Sequence, residues 1–145
     1  MQEFDPLKLE NQICFPLYAA SREVIKRYHP MLSELDLTYT QYVCMMVIWE
    51  YRTISSKDLG EKLFLDSGTL TPVLKSLEAK GLLTRERSKD DERVLLVSAT
   101  DSGMALREKA LSVPGKLAGC VKMAPEDTIA LHGLLYKLLN GLSDK

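Results

Sequence analysis

Residues 54–98 constrain the fold more than any other part of this chain. They read as a helix, a tight connection, a second helix, and two short strands joined by a charged loop. Asp66-Ser67-Gly68-Thr69-Leu70-Thr71-Pro72 opens an amphipathic segment that Gly81 closes. Leu70, Val73, Leu74 and Leu77 recur along one helical face. The opposite face carries Gly68, Thr71, Pro72, Lys75 and Ala79, so it is small, hydroxylated and singly basic and can approach another surface closely. After Gly81 come Leu82 to Arg87, a charged tip from Ser88 to Arg93, and the apolar run Val94 to Ser98. This is the outline of a winged helix-turn-helix, whose second helix enters a DNA major groove. Its candidate DNA contacts are Ser67, Gly68, Thr69, Thr71, Pro72 and Lys75 on the helix. On the wing they are Arg85, Arg87, Lys89, Asp91 and Arg93.

A chain of 145 residues with 46% hydrophobic and 27% charged residues suits one globular domain with a proper core. No apolar run approaches the ~20 residues of a membrane span. Met1-Gln2-Glu3-Phe4-Asp5 lacks the basic start and apolar stretch of a secretion signal, so a cytoplasmic location is expected. The net charge of −1 weighs mildly against nucleic-acid binding, but phosphate contact needs only a local basic patch. Cys14, Cys44 and Cys120 are far apart, with no Cys-x-x-Cys and no paired His-Cys spacing. No metal and no cofactor are therefore expected. His29 and His132 are isolated, and surface or packing roles suffice for both.

The rest of the chain reads as mainly helical. Asp5-Pro6 predicts a helix start. Cys14, Leu17, Tyr18, Ser21, Val24, Ile25 and Tyr28 then hold helical spacing up to an expected break at Pro30. Pro16 interrupts this stripe and predicts a kink, or a restart near Cys14. Thr38-Tyr39-Thr40-Gln41 matches a capping box, and the apolar stretch from Tyr42 to Trp49 predicts a buried helix. Ser55 or Ser56 caps a helix over residues 57–64. The next helix starts at Asp66 or at Thr71-Pro72. Thr100-Asp101 opens a fifth helix that Pro114-Gly115 bends or breaks. Pro125-Glu126-Asp127 opens the last, with Leu131, Leu134, Leu135, Leu138, Leu139 and Leu142 on one face. With no repeat or linker, residues 1–145 form one domain. Segments 5–37 and 101–143 flank the DNA-binding unit. A leucine stripe is ordinarily core, but twofold proteins read two half-sites, which favours a homodimer on an inverted repeat.

Leu65 to Lys75, then Arg85-Glu86-Arg87-Ser88 and Asp91-Glu92-Arg93, resemble the MarR family. Asn11-Gln12-Ile13-Cys14-Phe15, Leu37 to Tyr42 and Ser112-Val113-Pro114 narrow the resemblance to the OhrR-type organic hydroperoxide regulators, across nearly the whole chain. The resemblance implies a homodimeric repressor whose outer helices form the interface and which loses DNA affinity when Cys14 is oxidised. It implies that Tyr28 and Tyr39 contact the partner's reactive sulfur. It also implies that Cys120 can form an intersubunit disulfide with Cys14. It assigns Arg93, oriented by Asp91, to the minor groove. Pro16 departs from the family pattern.

Each feature also has a plainer reading. A cysteine on an apolar stripe is by default a small buried hydrophobe. Two local facts weigh against this for Cys14. Tyr18 lies one turn away on the same face, and a break at Pro16 frees backbone amides; both stabilise thiolate over thiol. Cys120 follows Gly115 and Gly119 and reads equally well as an unremarkable small residue, while Cys44 sits in a core run. The wing's cations are balanced by Glu86, Asp90, Asp91 and Glu92, as in any solvated hairpin. Three other functions fit the chain: a MarR-type regulator of a small aromatic ligand with inert cysteines, a thiol peroxidase using Cys14, and a helical interaction module without DNA binding, which only the net charge favours. The peroxidase has no use for a reader helix.

Overall fold

The computed structural model describes residues 3–143. Met1, Gln2, Asp144 and Lys145 lie outside it, and with them part of the amino-terminal reading and the outer bounds of the domain. Seven α-helices and three strands run α1 (Cys14–Ser33), α2 (Tyr39–Tyr51), β1 (Thr53–Ser55), α3 (Ser56–Leu63), α4 (Ser67–Ala79), β2 (Leu83–Arg87), β3 (Leu95–Ala99), α5 (Asp101–Ala110), α6 (Val113–Cys120) and α7 (Pro125–Leu142). No helix among the described residues is long and apolar enough to cross a membrane.

Helix starts follow their caps. Thr38 Oγ1 accepts from the Gln41 amide and Gln41 Oε1 accepts from the Thr38 amide, completing the expected box at α2. Ser55, Asp66 and Thr100 each accept from the amide three residues on, at α3, α4 and α5. Asp66 thus settles the start of the reader helix α4. Pro72 lies inside it, exposed, where water can serve the Gly68 carbonyl that the ring leaves without an amide. Gly81, at φ 77°, ends α4 in the left-handed region that glycine tolerates.

Two boundaries differ from the sequence expectation. Asp5-Pro6 opens no α-helix: Asp5 caps a turn by accepting from the Leu7 amide, and a short 3-10 turn at Leu9–Asn11 precedes α1. Helix α1 restarts at Cys14, with Pro16 in its first turn, where a missing donor costs nothing. Pro30 does not break α1, which runs on to Ser33 because the proline is exposed and solvent reaches the Lys26 carbonyl it leaves free. The Pro114 break is present, as the separation of α5 from α6.

The sheet has a third strand that the sequence reading lacks. β3 lies centrally, with β2 paired to one edge and the three-residue β1 to the other, both antiparallel. Leu32, Cys44, Met45, Ile48, Leu59, Leu70, Leu74, Leu77, Leu83 and Val97 form one core joining α1, α2, the helix-turn-helix and the sheet. Of the stretch expected to be buried, Tyr42, Cys44, Met45 and Ile48 are buried, Val43, Val47 and Trp49 are half-buried, and Met46 is exposed. No described residue of α7 is buried, and its leucines face solvent in the single chain.

Candidate functional site

The turn between α3 and α4 is tight by construction. Phe64 adopts a left-handed φ of 56°, and the Leu65 amide donates to the Gly60 carbonyl. A Cβ on Gly60 would stand 2.8 Å from the Leu65 carbonyl oxygen, so only glycine fits without a shift. This turn presents the first half of α4 outward: Ser67, Gly68, Thr69, Thr71, Pro72 and Lys75 are all exposed, while Leu70, Leu74 and Leu77 are buried beneath them. The free face therefore carries hydroxyls, a glycine and one cation on a rigid, cored helix.

The wing is the β2–β3 hairpin. Its tip is closed by the Ser88 amide donating to the Val94 carbonyl at 2.8 Å. Arg87 and Lys89 are exposed. Asp91 grips Arg93 twice, Nε to Oδ1 at 3.1 Å and Nη2 to Oδ2 at 3.2 Å, while the arginine side chain stays 90% exposed. The same carboxylate accepts from the Arg93 amide. These bonds hold the Asp91 carboxyl below its ordinary range. The guanidinium is thus held by a forked pair yet open to a ligand. Arg85 differs from its neighbours. Its Nη2 donates to Glu78 Oε1 at 3.2 Å, its amide donates to Glu78 Oε2, and its side chain is only 20% exposed. It ties β2 to α4 and is not a free cation on the surface.

The three cysteines have different surroundings. Cys14 is the exposed first residue of α1, Cys120 the exposed last residue of α6, and Cys44 is fully buried on α2. Burial pushes the Cys44 thiol up to about 12. Tyr28 packs against Tyr39 with ring centroids 4.9 Å apart and against Tyr42 at 5.7 Å. Sequence reasoning placed Tyr42 in the core only; its place in this cluster comes from the fold. Burial, with Tyr39 and Tyr42 beside it, pushes Tyr28 up to about 12, and burial raises Tyr39 as well. These phenols stay protonated and can donate. Tyr18 lies outside the cluster, exposed, with the Arg22 guanidinium 5.3 Å from its ring centroid.

One protomer does not bring these groups together. Cys14 and Tyr28 lie fourteen positions apart on α1, about 21 Å at ~1.5 Å per residue. Lys116 of α6 pairs with Glu34, beyond the far end of α1, at 3.8 Å. The twenty residues of α1 span about 30 Å. Cys120, one turn past Lys116, therefore stays on the order of 9 Å or more from Cys14, after allowance for that turn and for the lysine and glutamate side chains. A disulfide needs Cα atoms within ~7 Å.

Comparison with known proteins agrees with this architecture. The family model described as transcriptional regulator SarA/Rot matches residues 26–110. The organic hydroperoxide resistance transcriptional regulator of Bacillus subtilis is 50% identical over 143 residues, covering 99% of this chain and 97% of that protein. AbfR of Staphylococcus epidermidis is a structural neighbour. Reduced AbfR bound to DNA superimposes with a TM-score of 0.77 at 33% identity, covering 93% of this chain and 94% of that one. Disulfide-formed AbfR gives 0.66 at 34% identity, covering 90% and 92%. The chain belongs to the SarA/Rot family of transcriptional regulators, within the MarR-like winged-helix group and of the organic hydroperoxide resistance type.

Proposed function

We propose that this protein is a cytoplasmic, homodimeric, DNA-binding repressor that senses organic hydroperoxides through Cys14. The observation that carries the reading is the separation of Cys14 from Tyr28 and from Cys120 within one chain, with both cysteines on exposed helix ends. A second copy supplies what one protomer lacks. The apolar faces of α1 and α7, including Phe15, Leu17, Ile129, Leu134 and Leu142, are exposed and form the surface such a copy would cover. Segments 5–37 and 101–143 are then the dimerisation helices. The partner's Tyr28 and Tyr39 would donate to the Cys14 sulfur and favour its thiolate. Ser67, Gly68, Thr69, Thr71, Pro72 and Lys75 face the major groove. Arg87, Lys89 and Arg93 face the backbone and minor groove, with Asp91 and Arg85 holding the wing.

The chemistry balances without a cofactor. The Cys14 thiolate attacks the terminal oxygen of the hydroperoxide, an S–O bond forms, and the O–O bond breaks. The leaving alkoxide takes a proton from water, and Cys14 becomes a sulfenic acid. The partner's Cys120 thiol then displaces hydroxide from that sulfur, giving an S–S bond and water. Closing this bond draws α1 of one protomer toward α6 of the other and shifts the two reader helices out of register on the duplex. The better superposition on DNA-bound AbfR, reduced or overoxidised, than on disulfide-formed AbfR supports taking this conformation as the one without the disulfide.

Non-reducing gels after cumene hydroperoxide test the pairing. Wild type gives a covalent dimer, Cys14→Ser and Cys120→Ser give none, and Cys44→Ser is unchanged. A covalent dimer that persists in Cys120→Ser contradicts the pairing.

A further inference from the structure

Gln41 is a buried polar side chain in an otherwise apolar stretch of core, 6% exposed. Three hydrogen bonds engage its amide. Oε1 accepts from the Thr38 amide at 3.0 Å and from Lys80 Nζ at 3.2 Å, and Nε2 donates to Ser76 Oγ at 2.8 Å. The first bond is half of the capping box that fixes Tyr39 as the first residue of α2. The other two reach the last turn of α4 and its C-cap. Lys80 also donates to the Asp36 carbonyl and lies 3.6 Å from its carboxylate, gripping the turn between α1 and α2. One amide therefore joins the base of the tyrosine cluster to the recognition helix.

We infer that Gln41 is a positioning residue that transmits displacement of Tyr39 to α4. Met45 and Tyr42 of α2 share one apolar core with Leu74 and Leu77 of α4, and non-directional apolar packing tolerates small slides. Hydrogen bonds are directional and weaken steeply when misaligned, so the two from Gln41 to Ser76 and Lys80 fix the relative position of the two helices. A merely space-filling role needs no amide: methionine fills the same volume with no polar atom to satisfy. The inference rests on the proposed redox reading for its use, because Tyr39 is where the partner's Cys14 is expected to act. The mechanical link itself involves no cysteine.

A double-mutant cycle on the full-length reduced protein isolates the link. The readout is amide hydrogen exchange of residues 67–80, normalised to residues 101–110 of α5 so that global destabilisation cancels. Tyr39→Ala should speed α4 exchange about threefold or more in the wild-type background and by less than about 1.5-fold in Ser76→Ala combined with Lys80→Met, which cuts both bonds to Gln41 and leaves the capping box intact. Gln41→Glu should keep the coupling, since Ser76 can donate to a carboxylate oxygen; Gln41→Met should lose it. Should Tyr39→Ala not fold, Tyr28→Leu disturbs the cluster from the α1 side. Equal effects in both backgrounds overturn the inference, whatever peroxide does. Failure of the redox reading registers separately, as DNA retained by peroxide-treated wild type while the cycle still shows coupling.

Discussion

Cys44 and Cys14 carry the same thiol, and the fold buries one and exposes the other. Cys44 is walled in by aliphatic neighbours, and burial holds it protonated up to about 12. We expect it to stay unmodified by a thiol reagent in the native protein and to react only on unfolding. Tyr28 follows the same logic at the phenol, pushed up to about 12 from 10.0. On unfolding both groups regain lower, ordinary values, so the unfolded chain loses protons first. Their contribution to stability is therefore present below those ordinary values and is lost as pH rises toward about 12. Urea midpoints from neutral pH to about 11 should fall with pH, and Tyr28→Phe should flatten the slope. A flat wild-type profile contradicts the burial of these groups. On the wing, Arg93→Ala should weaken operator binding by about 1–3 kcal/mol, measured by anisotropy on a duplex selected from a random pool. Lys75→Ala should weaken binding to all sequences and lower the salt slope by about one.

Among the elements, the helix-turn-helix is tied at its turn and to the wing by identifiable contacts. Gly60→Ala places a methyl against the Leu65 carbonyl, a backbone atom that cannot rotate away. It should cost about 1–3 kcal/mol in chemical denaturation. Glu78→Ala strands the half-buried Arg85 guanidinium and frees the wing from α4, which should cost about 1–3 kcal/mol and weaken DNA binding at every sequence. How far such elements could be read in advance depended on the range of the forces that set them. Thr38 with Gln41, Ser55, Asp66, Thr100 and Gly81 act over three or four residues, and the chain spells them out. Pro30 and Asp5-Pro6 carry the same kind of local signal, but solvent exposure at one and a competing turn at the other decide differently. The three-residue β1 is stabilised by pairing with β3, more than forty positions away, and has almost no pattern of its own. The bonds from Gln41 to Ser76 and from Arg85 to Glu78 are equally silent in sequence: each needs the fold before its partners meet.

For the molecule as a whole, the outer helices set the question. α1 and α7 leave large apolar side chains uncovered in the single chain, while the core beneath the reader helix takes Leu32 from α1 and no buried residue from α7. The site residues follow the same division. The groups proposed to face DNA lie on α4 and the wing of one protomer, where local sequence signals mark those elements. The groups proposed to sense peroxide come together only if a second protomer supplies some of them. Cys14 is too far from the tyrosine cluster and from Cys120 in one chain to contact either. The most direct test of a peroxide-released repressor is a gel shift on a selected inverted-repeat duplex, with and without cumene hydroperoxide, for wild type and Cys14→Ser. The account predicts that both proteins shift the duplex when reduced, that peroxide releases wild type, and that Cys14→Ser stays bound. Release of Cys14→Ser to the same extent as wild type, or retention of oxidised wild type, would contradict it.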